Sequence, residues 1–442
     1  GMSRIGAPEP STSTDARTRG APWYRNSTST VTAPDPDSVN PSRTTRAKPT
    51  KFTSRPCSLA WGACAASALG LLISYFYFAR CAPGGWLSPD VYVKGCYTDI
   101  TALYEARGFA KDIWPYGSGT DSLEYPLLSG LGMWIISLLT KNGSAGLLQF
   151  FRLNICAITA AYVVLVYQLY KSDRKNALLF SLSPAVIGAL FINWDLWAMA
   201  PFLLALVFLW RERYVASGIF FSLSIFFKFF PIIYLIPITL YLWQKPRERN
   251  KFLGSVLATT VAINLPFVIF EFEGWAKFYV FNFQRGVDFG SIWYLISLKG
   301  SWISGVNWFV TPLVAILLFV IYWRYRRNLL GSIFMASVIF FTLNKVYSPQ
   351  YVLWLTLVAL IYFPKTKIFY GLFALWEGCE FLYQYGIWRH LLTVLNEAGG
   401  ITSDMYVNIT ALRIVTLLAL TGYAIYLLED DLIKSRGSKS NV

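Results

Sequence analysis

Leu59-Ala-Trp-Gly-Ala-Cys-Ala-Ala-Ser-Ala-Leu-Gly-Leu-Leu-Ile-Ser-Tyr-Phe-Tyr-Phe78 contains no charged residue and is long enough to cross the hydrocarbon of a bilayer as one helix. Apolar runs of about 15–25 residues recur from here to Leu428, continuous rather than alternating, which selects helices over a barrel. Hydrophobic residues make up 55% of the chain and charged residues 14%. The expected fold class is all-α, a polytopic transmembrane helical protein. Behind this first run comes a polar loop, Cys81–Tyr125, that contains Cys96-Tyr97-Thr98-Asp99-Ile100. In a chain that is otherwise mostly apolar helix, this loop is where a carboxylate can meet water and a substrate.

The formal charge of +15 invites a polyanion such as nucleic acid. The basic residues, however, sit in residues 1–56 and in short clusters between apolar runs, where the positive-inside rule puts them, so no nucleic-acid partner is expected. Those clusters are Lys171-Ser-Asp-Arg174-Lys175, Arg211-Glu-Arg213, Lys245 to Lys251, and Arg324-Tyr-Arg326-Arg327, all assigned to the cytosolic side. Residues 1–56 are too poor in aliphatic residues to fold and read as a disordered cytosolic tail. Residues 57–430 form the membrane domain, and 431–442 a cytosolic C-terminal tail. Six cysteines make no disulfide framework, and a Cys81–Cys96 bridge within the loop stays open.

The intervals 177–210 and 214–243 are too long for one span, and each is interrupted, at Asn193-Trp194-Asp195 and at Lys228-Phe-Phe-Pro231. Each reads as a pair of short helices that rises from the cytosol and returns. Further spans are expected at 252–271, 306–323, 329–344, 350–363, 367–387 and 405–427, for about 12 passes in all. Pro126–Leu139 breaks the positive-inside parity if it crosses completely, so it is a short or re-entrant helix or an exception to the rule. This arrangement gathers polar stretches on the outer face: 81–125, Asn193 and Asp195, Lys228, 272–305, Asn344–Gln350 and 388–404. No internal repeat is visible.

Ionisable groups at membrane depth are costly and each raises a functional question. Asp99 opens a short amphipathic helix, Asp99–Ala106, and is either its N-cap or a reactive carboxylate. Glu124 precedes Tyr125-Pro126 and complements a helix dipole. Lys228, amid four phenylalanines and before Pro231, suits a phosphate or snorkels to the interface, and Lys345 in Asn344-Lys-Val-Tyr-Ser-Pro-Gln350-Tyr351 repeats the pattern. Arg285, Asp288 and Trp293 lie in a loop that mixes charge, glycine and aromatic rings, suited to phosphate and sugar or to an interfacial belt. Arg389 and His390, the only histidine, stand at the outer end of a span. One histidine and no cysteine cluster argue against a zinc or haem site, and no nucleotide-binding Gly-rich loop is present.

Tyr97-Thr98-Asp99-Ile100, Pro115-Tyr116, Glu124-Tyr125-Pro126-Leu127-Leu128, Leu182-Ser183-Pro184, Asn193-Trp194-Asp195, Phe227-Lys228-Phe-Phe-Pro231, the Arg285 loop and Asn344–Trp354 together resemble, in this order, the GT-C membrane glycosyltransferases. The likeness covers about residues 90–360 and is greatest to GPI mannosyltransferase I and the bacterial polyprenol-phosphate-mannose-dependent mannosyltransferases. The resemblance implies a GT-C fold with a catalytic first outer loop. It implies inverting transfer of a sugar, mannose first, from a polyprenyl-phosphate donor to a glycolipid or cell-envelope glycan acceptor at the outer face, in a membrane whose lipids surround the protein. It makes Asp99 the general base, and the residues themselves offer Glu124, Tyr125, Asn193, Asp195, Lys228, Arg285, Asp288, Trp293, Lys345, Gln350, Tyr351, Arg389 and His390 as candidates for substrate binding. The GPI enzymes resemble Asp-x-Asp at this point, whereas this chain has Asp99-Ile100-Thr101. The second acid is absent, so no metal or other cofactor is expected, and the bacterial branch, in a plasma membrane with a periplasmic site, is the nearer expectation. A flippase of lipid-linked sugar, an arabinofuranosyltransferase and a non-catalytic scaffold are the rival readings.

Overall fold

A computed structural model describes residues 57–119, 122–300 and 305–440. The tail expected at 1–56 lies outside the described residues. Among those residues the architecture is helical throughout, with no strand.

Helix α1 (Cys57–Ala79) is followed by the outer loop, which contains α2 (Asp90–Lys94) and α3 (Asp99–Ala106) and leads into α4 (Leu127–Ser137). Next come α5 (Leu147–Ser172), α6 (Arg174–Leu182), α7 (Pro184–Ala189), α8 (Asp195–Trp210), α9 (Tyr214–Phe227), α10 (Leu235–Tyr241) and α11 (Pro246–Phe270). The chain continues through α12 (Phe272–Gln284), α13 (Ile292–Leu298), α14 (Val306–Tyr325), α15 (Leu329–Leu343), α16 (Val352–Tyr362), α17 (Lys367–Val394) and α18 (Ser403–Ser440).

Five of these, α1, α5, α11, α14 and α18, are long and apolar enough to cross a membrane. The chain is an integral, multi-pass membrane protein. The other apolar helices α4, α8, α9, α10, α15 and α16 are shorter, so the expected dozen full passes is not reached by single long helices. Helix α4 has 11 residues, a length of about 16 Å that falls short of the ~30 Å hydrocarbon core. The stretch 272–305, expected as an outer loop, contains α12 and α13 instead, and α18 continues as helix through the residues expected as a C-terminal tail.

The two expected interruptions fall where the sequence put them. Between α7 and α8 the chain turns at Phe191–Trp194, and between α9 and α10 it turns extended at Lys228 before a short 3-10 segment, Phe230–Tyr234. Large apolar side chains on α1, α11 and α14, such as Phe76, Ile269 and Phe319, are exposed and form the lipid-facing surface. Helices α8, α15 and α16 are hidden, with Leu196, Phe334 and Trp354 fully buried.

Without a hydrophobic drive between helices in lipid, small residues and hydroxyls hold this bundle together. On α9, Ser217 and Ser224 donate to the Ala205 and Ala198 carbonyls of α8 at 2.8 Å each, and Ser222 donates to the Val256 carbonyl of α11 at 3.0 Å. Gly218 lies where α9 and α11 meet, and a Cβ there would overlap the Ser255 hydroxyl and the Phe252 carbonyl. We expect Gly218→Leu to cost about 1–3 kcal/mol by overpacking this seam. Gly254, with no atom near its missing Cβ, serves as the control, and Gly254→Ala should leave thermal unfolding in detergent unchanged.

Candidate functional site

Asp99 is not the cap of its helix. Thr98 is: its backbone is extended and its Oγ1 accepts the Ile100 amide at 3.2 Å. The Thr98 hydroxyl donates to the Phe191 carbonyl at 2.7 Å, and the Asp99 amide donates to the Ile192 carbonyl at 2.8 Å. The outer loop is thereby stitched to the break between α7 and α8, and the Asp99 carboxylate is released from capping. It is half-buried, and two phenols hold it: Tyr97 donates to Oδ1 at 3.0 Å and Tyr125 to Oδ2 at 3.1 Å. Cys81 and Cys96 form a disulfide within the same loop.

Burial pushes the Asp99 carboxyl above the ordinary carboxylate range, against Tyr97, Lys228 and Tyr125, which pull it down, and with Asp195, which adds to the rise. A buried carboxylate with a raised proton affinity is a better proton acceptor than a solvated one.

Lys228 reaches toward the same space from the α9 break. Its ammonium is 3.3 Å from Asp195, and it stands 6.0 Å and 5.8 Å from the ring centroids of Tyr125 and Tyr351. Asp195, fully buried at the first turn of α8, also accepts the Trp354 indole N–H at 2.8 Å. Asn193 is buried too, and its Oδ1 accepts the Asp195 amide at 3.1 Å. Asn193 thus accepts from the first residue of α8, and Asp195 is the counter-ion of Lys228.

Arg285 is ion-paired with Asp288. The Asp288 amide donates to the Lys345 carbonyl at 2.8 Å, and the Lys345 ammonium donates to the carbonyls of Arg285 at 2.6 Å and Phe283 at 3.2 Å. Burial first, and the neighbouring Arg285 guanidinium second, hold the Lys345 ammonium below the usual lysine range. Lys345 and Tyr351 lie on the same loop, and Tyr351 stands beside Lys228. Tyr351 is half-buried beside Lys228, and Gln350 is buried next to it.

The remaining expected site residues are engaged elsewhere. Glu124 forms a two-pronged ion pair with Arg107 at 2.6 and 2.8 Å, which anchors the segment leading to Tyr125. The Trp293 indole donates to the Leu343 carbonyl at 2.7 Å. Arg389 reaches the Val93 and Gly399 carbonyls at 3.3 and 3.4 Å. His390 is buried against Tyr406, ring centroids 4.0 Å apart, with its Nε2 sharing a hydrogen bond with Tyr294 at 2.8 Å.

Among the described residues no three acidic, histidine or cysteine side chains converge. Thr101 stands where an acid was expected, and its hydroxyl donates to the Thr98 carbonyl at 3.3 Å.

Sequence reading missed Tyr97 as a partner of Asp99, although it stands two residues away. It also missed Glu380 and Arg413, charges inside apolar runs that the cost of burying them should have flagged.

Residues 193–399 match a family model described as Mannosyltransferase (PIG-M). The chain is similar to mannosyltransferases. It is 30% identical to GPI mannosyltransferase 1 of Kluyveromyces lactis over 37% of this chain and 46% of that protein. It is 31% identical to GPI mannosyltransferase 1 of Saccharomyces cerevisiae over 41% of this chain and 51% of that protein. With GPI mannosyltransferase 1 of Dictyostelium discoideum the identity is 24% over 68% of this chain and 79% of the relative. The alignments span about half the length of the two yeast relatives. The family match contains Asp195, Lys228, Arg285 and Lys345 but begins after Asp99, so the place of Asp99 rests on its geometry.

Because Tyr97 lowers the Asp99 proton affinity, Tyr97→Phe should raise it. We expect an infrared carboxyl band, absent in Asp99→Asn, that titrates above the ordinary aspartate value of about 3.9 and moves to still higher pH in Tyr97→Phe.

Proposed function

We propose that the protein is an inverting mannosyltransferase that moves mannose from a polyprenyl-phosphate donor to a glycolipid acceptor at the exoplasmic face. What carries the reading is one proton-accepting carboxylate, Asp99, held by Tyr97 and Tyr125, with the Lys228 ammonium 6.0 Å from the Tyr125 ring and 5.8 Å from the Tyr351 ring. The match of the cation-bearing residues to a mannosyltransferase family supports it independently.

In this reading the acceptor hydroxyl oxygen attacks the anomeric carbon of mannose as the bond from that carbon to the phosphate oxygen breaks. Asp99 takes the hydroxyl proton, and the polyprenyl phosphate leaves with its negative charge met by the cations. One displacement inverts the anomeric centre. Tyr97 and Tyr125 fix the orientation of the carboxylate, and Asp195 with Trp354 fixes that of Lys228. Lysine meets the leaving phosphate as a point charge, and arginine adds a fork.

The relatives named above are eukaryotic enzymes whose names specify GPI, so the proposal takes a glycosylphosphatidylinositol-type glycolipid as acceptor. The bacterial branch and a periplasmic site are supported by Thr101 alone, and the comparisons do not add to that support.

In proteoliposomes supplied with polyprenyl-phosphate mannose, we expect Asp99→Asn to lower transfer by at least about 10²-fold, the scale of a lost general base. Its unfolding temperature should match that of the unaltered chain, and full activity in this variant would defeat the assignment of the base. Lys228→Met should instead raise the donor KM, and an unchanged donor KM would remove Lys228 from phosphate recognition.

A further inference from the structure

Arg413, on the spanning helix α18, has no exposed surface, and neither does its partner Glu380 on α17. Its Nε donates to Glu380 Oε2 at 2.8 Å, and its guanidinium carbon lies 3.4 Å and 3.9 Å from the ring centroids of Tyr347 and Tyr383. The other Glu380 oxygen accepts from Tyr347 at 2.9 Å and Trp376 at 3.2 Å. A buried ion pair is a poor way to gain stability, since well-packed apolar residues do as well or better. Ionisable side chains at this depth point to function.

The two remaining prongs of the guanidinium show what the pair does. Nη1 donates to the Tyr347 carbonyl at 2.8 Å and Nη2 to the Ser348 carbonyl at 3.1 Å, both in the loop that bears Lys345. From the opposite side the loop bearing Arg285 presents Gly290. Its φ is +77°, and a Cβ there would overlap the Tyr347 carbonyl and the Tyr383 hydroxyl and would lie 3.0 Å from Arg413 Nη1. The Gly290 amide donates to the Tyr406 hydroxyl at 3.0 Å, which shares a hydrogen bond with Tyr383 at 3.2 Å. Arg413 therefore lies beneath the contact between the two cation-bearing loops, and only a glycine fits between them.

We propose that Arg413, locked by Glu380, is a positioning residue for lipid-phosphate recognition: it sets the register of loops 285–291 and 344–348 so that Arg285 and Lys345 meet one phosphate together. Arg413 lies beyond the 193–399 family match, and the inference rests on the mannosyl-transfer reading above. A lysine cannot replace it, because one ammonium lacks the planar fork that serves a carboxylate and two carbonyls at once.

The test uses the full chain in nanodiscs, with polyprenyl-phosphate mannose and the glycolipid acceptor varied separately. For Arg413→Lys we expect the donor KM to rise at least about tenfold while the acceptor KM stays within about twofold, as misplacement of a binding group predicts. Hydrogen exchange should quicken in 285–291 and 344–348 but not in α3. Should Arg413→Lys fail to fold, Gly290→Ala disturbs the same joint from the loop side, and the same donor-specific rise is expected. An unchanged donor KM in a folded variant, equal rises for both substrates, or unchanged exchange in the two loops would overturn the proposal. A wild-type chain that transfers no mannose overturns the mannosyl reading instead, and the exchange arm still decides whether Arg413 registers the loops.

Discussion

The joint on which the rest of the structure depends is the pair of hydrogen bonds from Thr98 and Asp99 to the carbonyls of Phe191 and Ile192. A break between α7 and α8 leaves backbone carbonyls without helical partners, and at membrane depth such groups need partners from elsewhere in the protein. The outer loop supplies them. In doing so it fixes Asp99 at a helix start where Thr98 caps, and the aspartate is left to two tyrosines. One constraint, the need to satisfy broken backbone in lipid, thus both seals the fold and frees the carboxylate.

The same logic recurs at the other helix breaks. The α9 break exposes Lys228, and Asp195 and Trp354 steer it. The turn after α15 exposes two carbonyls, and the Arg413 guanidinium takes them. At these two interruptions a polar group is held by a buried partner on another helix, Asp195 in the first case and Arg413 in the second. The pieces with polar chemistry are therefore the ends of rigid elements, which suits a site that must hold a lipid phosphate and a hydroxyl in one geometry.

Much of this was legible in the residues. Charge and proline inside apolar runs marked the breaks at Asn193–Asp195 and Lys228–Pro231, because neither belongs in continuous membrane helix. The extent of α3, Asp99–Ala106, followed from its apolar spacing and polar start. The identity of its cap did not. Thr98 and Asp99 are both good capping residues, and the choice was made by carbonyls more than ninety positions away. The number of full passes was not fixed by the sequence, because short apolar runs read alike whether they cross, pair or stop, and only five helices are long and apolar enough to cross alone. Glu380 and Arg413 were visible as charges, but their meaning lies in which loop carbonyls they meet, and that is set by packing between helices distant in sequence.

The central claim is that this site makes a bond rather than passing a lipid through. Labelled polyprenyl-phosphate mannose, placed with acceptor in proteoliposomes of the purified protein, distinguishes the two directly. The account predicts a new mannosylated lipid whose anomeric configuration is opposite to that of the donor. Label that crosses the bilayer on its original lipid, with no mannosylated product, would contradict it.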